Sequence, residues 1–347
     1  MKTKKTKKGI IIVLSSLCVL AFILAWFAYG AIFKSNVKTE NVNNDIFIPQ
    51  KSTVEDVSSL LKKANIINNE CTFLFVSKLK RFQMPSKGGK YVIENGWSNN
   101  QIINTLRIGS EVPVDLTFNN IRTQSELAAR LSQQLRLDSV DIMELFEDYD
   151  YIHAMGFDFE TVISVFIPNT YHVFWTIEAD DLFKRMKREY DAFWTKDRLE
   201  KAQKLNLSPI EVITLASIVE EETKKESEKP IVAGVYINRL KRGWKLDADP
   251  TVKFAVGDPT LRRILTKHIN VDSPYNTYKY KGLPPGPIRV PNIISIDAVL
   301  NYQQHSYMFF CAKPDLSGTH YFAKTLREHN NNARKYHNAL NSKRIYK

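Results

Sequence analysis

The sequence is poor in cysteine, and its three cysteines are badly placed to build a framework. Cys18 lies inside an apolar run, while Cys71 and Cys311 stand too far apart along the chain to staple a small scaffold, so no required disulfide is expected. Histidine is scarce too: none of the seven sits in a spacing such as H-E-x-x-H, and no metal cluster is expected. Disorder is excluded by composition, with 44% hydrophobic and 25% charged residues. The 347 residues suffice for two or three domains with a sizeable core.

Charge is concentrated at the start. Lys2, Lys4, Lys5, Lys7 and Lys8 precede an uncharged run from Ile10 to Phe33. A helix needs about 20 apolar residues to cross the hydrocarbon core, and this run exceeds that. Five lysines before it, against Lys34 immediately after, place the N-terminus in the cytoplasm and the rest outside. The alternative is a cleaved signal peptide, with Ala28-Tyr29-Gly30 as a small-residue site. Signal h-regions are about 7–15 residues long, however, which favours an uncleaved anchor. Cys18 follows Leu17, where a lipoprotein signal would want a small residue. The net charge of +12, part of it from the leading lysines, suits an anionic wall polymer or a membrane surface. Nucleic acid is the usual rival for a basic chain, and the topology sets it aside.

Beyond a polar, Asn-rich stretch at 34–44, a short β-type run, a Ser/Thr turn and an amphipathic helix recur three times. The copies start at Ile46-Phe47-Ile48, at Tyr91-Val92-Ile93 and at Val112-Pro113-Val114. Ser98 and Thr123 are good N-caps, and Glu126 completes a capping box with Thr123. Small α+β modules, including glycan-binding ones of the LysM type, are built this way. Residues 137–200 read as mostly helical around an extended aromatic segment, Phe166 to Tyr171, which continues to Trp175. One long proline-rich loop is expected from about 244 to 292, and loops of that length are usually functional.

The best-defined helix opens at Ser208-Pro209-Ile210-Glu211, with Ser208 as N-cap, Pro209 in the first turn and Glu211 closing a capping box. Val212 to Val219 is apolar nearly all round, the mark of a buried helix. It runs directly into Glu220-Glu221-Glu222. Negative charge is disfavoured at a helix C-terminus, and adjacent carboxylates raise one another's pKa. A carboxyl held there can stay protonated near neutrality, as a general acid must. Solvated side chains beyond the core are the plain alternative. Periodicity does not choose among the three: Glu220 shares a face with Ile213 and Ala216, Glu221 with Thr214 and Ile218.

Leu215-Ala216-Ser217-Ile218-Val219-Glu220 followed by Glu222-Thr223 resembles the core motif of the endolytic murein transglycosylase (YceG-like) family. Asn238-Arg239-Leu240, Asp249-Pro250-Thr251-Val252, Ser273 to Tyr278, Gly282 to Ile288 and Glu328-His329-Asn330 follow in the family's order. The chain departs from the commoner pattern at Ile163, Asn169 and Asn119-Asn120. The resemblance implies an α+β protein with an N-terminal transmembrane helix, a small LysM-like module and a helix-rich YceG-like catalytic domain. The expected divisions are a basic tail (1–9), the membrane helix (10–33), a linker (34–44), the LysM-like module (45–110), a second α+β segment (111–160) and the catalytic domain (161–347).

It also implies cleavage of the β-1,4 bond between N-acetylmuramic acid and N-acetylglucosamine within glycan strands, leaving 1,6-anhydro ends and terminating strand elongation. Glu220 would be the acid and base, without metal or cofactor. Glu222, Asp249, Asn276, Tyr278 and Tyr171 would support it or contact substrate, although Asp249 and Asn276 are also ordinary turn residues. The implied partners are peptidoglycan strands, the membrane crossed once and peptidoglycan synthases. A non-catalytic wall-binding scaffold and a hydrolytic muramidase, which needs a second carboxylate, remain open.

Overall fold

The structure is a computed structural model describing residues 2–38, 44–84, 88–258, 261 and 264–342, with side chains from Lys8 onward. The chain divides into two compact units, one comprising residues 1–116 and 171–177, the other 117–170 and 178–347.

The first unit opens with helix α1 (Lys2–Phe33), whose Lys8–Phe33 stretch is long and apolar enough to cross a membrane. Strand β1 (Asp45–Ile48), helices α2 (Val54–Lys63) and α3 (Glu70–Leu79), strand β2 (Gly89–Val92) and helix α4 (Asn99–Ile108) follow. β1 and β2 pair antiparallel, with Asp45 opposite Val92 and Ile48 opposite Gly89. Each helix starts where its sequence supplies a cap. Thr53 Oγ1 accepts from the Asp56 N–H at 3.1 Å and Asp56 accepts in return from the Thr53 N–H at 2.8 Å; Asn69 caps α3, and Ser98 with Gln101 caps α4. Ile46, Ile48, Val57, Leu61, Phe73, Val76, Tyr91, Ile102 and Leu106 interlock as the core. Helix α3 was not anticipated from the sequence. Its ECTFLFVSKL stretch is too apolar to show a helical stripe, and only Asn69 signals its start. A second sheet pairs β3 (Val114–Thr117) with β4 (Thr170–Val173), and Trp175 beyond it packs edge-on to Phe47 at 5.1 Å.

The start of the expected linker is bonded into this unit. The Asn36 amide donates to Asn69 O at 2.9 Å and to Asn99 Oδ1 at 2.7 Å, and its Oδ1 accepts from the Asn69 N–H at 2.8 Å. Asn99 donates in turn to Ala31 O at 2.9 Å, while Val37 is buried.

The second unit is helical: α5 (Gln124–Ser132), α6 (Ser139–Glu147), α7 (Tyr149–Ala154), α8 (Ala179–Phe193), α9 (Lys196–Lys204), α10 (Pro209–Glu222) and α11 (Lys229–Lys241). Thr123 caps α5, but Glu126 reaches past it to the Arg122 N–H at 2.7 Å, so the expected capping box is only half formed. The loop expected from 244 to 292 carries two short helices, α12 (Asp249–Val256) and α13 (Thr266–Ile269). After it come α14 (Ile293–Leu300), the antiparallel hairpin β5 (Phe309–Ala312) and β6 (His320–Ala323), and α15 (Leu326–Ser342). Phe146, Phe166 and Phe183 meet at centroid separations of 4.9–5.7 Å and fill the core beneath α6 and α8. Helix α10 runs through the centre, with Val212 to Val219 buried against α11, α12 and α14.

Candidate active site

Helix α10 is built as its sequence indicates. Ser208 Oγ accepts from the Glu211 N–H at 3.2 Å, and Glu211 accepts from the Ser208 N–H at 2.7 Å. Ser217 Oγ accepts from the Ile288 N–H at 3.0 Å, which pins the proline-rich loop to the buried helix. In that loop Gly286 is required, because a Cβ there would meet the Glu160 carbonyl oxygen. The last three residues of α10 then point in three directions, about 100° apart, and each glutamate meets different partners.

Glu220 turns towards α14. One oxygen accepts from the Asn292 N–H at 2.7 Å and from Ser295 Oγ at 2.8 Å, and the other from Asn292 Nδ2 at 2.7 Å. Buried Lys229 and Arg289 stand 3.8 and 3.7 Å away. A carboxylate here satisfies the first turn of α14 and meets the positive end of that helix's dipole. Both oxygens are committed to holding structure. Glu221 turns towards the loop before α5. It pairs with Arg289 and, at 2.7 Å, with Arg122, while Arg289 also donates to Asn120 Oδ1 at 2.8 Å.

Glu222 faces a cavity of about 350 Å³. Its Oε1 accepts from the Tyr236 hydroxyl at 2.6 Å. Burial pushes this carboxyl up to about 7, and nearby Asp249 adds to the rise; the Tyr236 hydrogen bond and the Arg239 guanidinium oppose it. Across the cavity the Tyr278 hydroxyl donates to Asp249 Oδ1 at 2.8 Å. Burial drives the Tyr236 and Tyr278 phenols far above the usual range, so both remain donors. Arg239 is fixed by Met308 O at 2.8 Å and by Leu246 O, with its guanidinium over the Phe309 ring. His329 stacks on the Phe309 ring at 5.4 Å, and burial, with the Arg239 charge, lowers its pKa and favours the neutral imidazole. Phe310 and Leu326 complete an apolar wall.

Of the residues singled out from the sequence, Glu222, Asp249 and Tyr278 therefore come together in one cavity. Glu220 lies on another face of the same helix. Asn276 is fully buried behind the loop: its amide donates to Ile269 O and Val271 O at 2.7 and 2.8 Å, and its Oδ1 accepts from the Tyr278 N–H at 3.1 Å. That work positions Tyr278 and keeps Asn276 itself out of the cavity lining. Thr251 and Thr277, hydroxyl to hydroxyl at 2.8 Å, lock the Asp249 and Tyr278 segments together. Tyr171 is buried on β4 in the first unit. Tyr236, Phe309 and Phe310 were missed. Tyr236 looks like one more apolar position of α11, and only the Val232-Ala233 and Asn238-Arg239-Leu240 motifs on either side of it marked the helix.

Residues 46–335 match the profile of the YceG-like family. The chain is 30% identical over 338 residues to a Bacillus subtilis protein named endolytic murein transglycosylase, covering 91% of each. A Streptococcus pneumoniae protein of the same name is 24% identical over 328 residues, and the chain spans 58% of its length. A solved YceG-like protein from Listeria monocytogenes superposes with a TM-score of 0.57 at 30% identity, over 83% of this chain and 98% of that one. With its motifs in order on one folded unit and a profile match across most of its length, the chain belongs to the YceG-like family.

Proposed function

We propose that this protein is a membrane-anchored endolytic transglycosylase of peptidoglycan in which Glu222, rather than Glu220, is the acid and base. The observation that carries the reading is the Glu222 carboxyl, raised to about 7 by burial and open to a cavity lined with hydrogen-bonding side chains. Protonated, it donates to the oxygen leaving the anomeric carbon of N-acetylmuramic acid as the β-1,4 bond breaks. The resulting carboxylate takes the proton from the 6-hydroxyl of the same sugar, whose oxygen closes on that carbon. The strand ends in a 1,6-anhydro sugar and no water is consumed. One carboxyl serves both steps because the internal hydroxyl replaces the water and second carboxylate of ordinary glycosidases. Tyr236 orients Glu222, and Tyr278 holds Asp249 where its charge favours the protonated acid. Glu220, the family motif's first glutamate, serves in this reading to hold α10 against α14.

The first unit supports a reading of location as well. The lysine-flanked apolar helix supports a single-pass anchor in the cytoplasmic membrane with the remainder outside. The strand–helix–helix–strand order of β1, α2, α3 and β2 supports a LysM-like glycan-binding role. A cut made near the membrane would end elongation of a nascent strand beside the synthases that extend it. Asp249, a second carboxylate in the cavity, favours one other reading, a hydrolytic muramidase.

The test is to digest purified peptidoglycan with the full chain and its Glu222→Gln variant and to weigh the released fragments. Fragments one water lighter than hydrolytic products, lost in the variant, are expected. Reducing ends of full mass would establish the muramidase. Release persisting in Glu222→Gln would return the acid's role to another group.

A further inference from the structure

Helix α3 is apolar on both sides. Phe73 and Val76 enter the core, yet Phe75 and Leu79, four residues apart on another face, are 41% and 56% exposed. A helix hydrophobic all round belongs in a core or in lipid. The contacts with α1 say where this face lies. At the start of α3, Asn69 bonds to Asn36, beyond the end of α1; six residues on, Phe75 packs edge-on to Phe27 at 5.9 Å. Helix α3 thus descends along α1, back towards its membrane-crossing part. From Ile10 to Phe27, where exposure along α1 is continuous, the helix is about 27 Å long at 1.5 Å per residue, close to a hydrocarbon thickness of about 30 Å. If the span is this exposed stretch, Phe75 stands at the outer boundary of the bilayer, with Leu79 further down. Exposed Lys78, Arg81 and Arg107 surround that end of α3, where Arg107 donates to Lys80 O at 2.8 Å and brings exposed Ile108 beside it. The acidic residue of the helix, Glu70, sits at the opposite end.

We propose that the C-terminal half of α3, with the end of α4, is a membrane-surface contact: Phe75, Leu79 and Ile108 enter the outer leaflet while the basic side chains meet anionic lipid phosphates. This rests on the reading of α1 as a membrane anchor. It makes the first unit a foot standing on the bilayer rather than a bead on a tether.

The experiment uses the full chain with its three cysteines replaced by serine, reconstituted into vesicles of neutral and anionic phospholipid. Phe27→Cys or Leu79→Cys, made singly in that background, carries an environment-sensitive fluorophore, challenged with headgroup spin-labelled lipid and with aqueous iodide. An interfacial face lies about 5–10 Å into the headgroup boundary, so the lipid quencher should lower emission about two-fold at both positions and iodide should act weakly. Lipid quenching at 27 with iodide quenching at 79 would overturn the surface contact and leave the anchor intact. Iodide quenching at both would remove the anchor and the contact with it.

Discussion

Glu222, Glu220 and Tyr236 make separable demands. Glu222→Gln keeps the shape and removes the proton, so turnover should fall about 10²–10⁴-fold with an unchanged circular dichroism spectrum. Because burial pushes Glu222 up to about 7 and the proposed acid must start protonated, kcat/KM of the native protein should fall as pH rises through about 7. Stability follows the same sign. A carboxyl whose folded pKa is raised stabilises fully below its unfolded value and loses that contribution as pH rises through about 7. Thermal melts of Glu222→Gln should therefore exceed those of the native chain at pH 8 and converge with them near pH 4. Tyr236→Phe removes a hydrogen bond that lowers the Glu222 pKa, so the alkaline limb of the rate profile should move to higher pH. A downward shift would mean that Tyr236 acts on another group.

At the scale of elements, the junction of α10 and α14 is where local sequence stopped being informative. The start of α10 was legible because Ser208, Pro209 and Glu211 lie within one turn and answer one another. Its end was not. A helix turns about 100° per residue, so three consecutive glutamates face three surroundings, and the partners of Glu220 lie 72–75 residues downstream. Only the fold shows Asn292 and Ser295 closing on Glu220 while Tyr236 closes on Glu222. Burial next to Lys229 and Arg289 gives Glu220 a stability role that can be measured. In Glu220→Gln the amide presents its own donors to groups that already donate, and two buried cations lose their counter-charge. The variant should lose about 3–5 kcal/mol in urea unfolding, with remaining activity tracking the folded fraction. A stable, inactive Glu220→Gln would instead make that carboxylate part of the chemistry.

At the scale of the whole molecule, patterns carried by neighbours in sequence were readable and those carried by distant pairs were not. The long apolar helix at the N-terminus, the strand-and-helix copies and the central helix were legible from hydrophobic spacing and caps. Helix α3 was not, because its apolar residues ring the helix, and neither was the bonding of residues 34–38 into the first unit. A polar, Asn-rich segment looks like a tether when its partners are unknown, yet Asn36 is buried with three hydrogen bonds and Val37 is buried beside it. If this segment is structural, a chain beginning at Ala28 should keep the first unit intact. One beginning at Asn44 would take Asn36 away from Asn99 Oδ1, leave the Asn99 amide only Thr72 Oγ1 at 3.2 Å, and open the site of Val37, at about 1–3 kcal/mol for each buried polar group left unpaired. Hydrogen exchange along α4 distinguishes the two: protection of Ile102 to Leu106 should fall in the shorter chain and hold in the longer. Equal protection in both would mean that α1 and its following residues merely lead into a unit that stands without them.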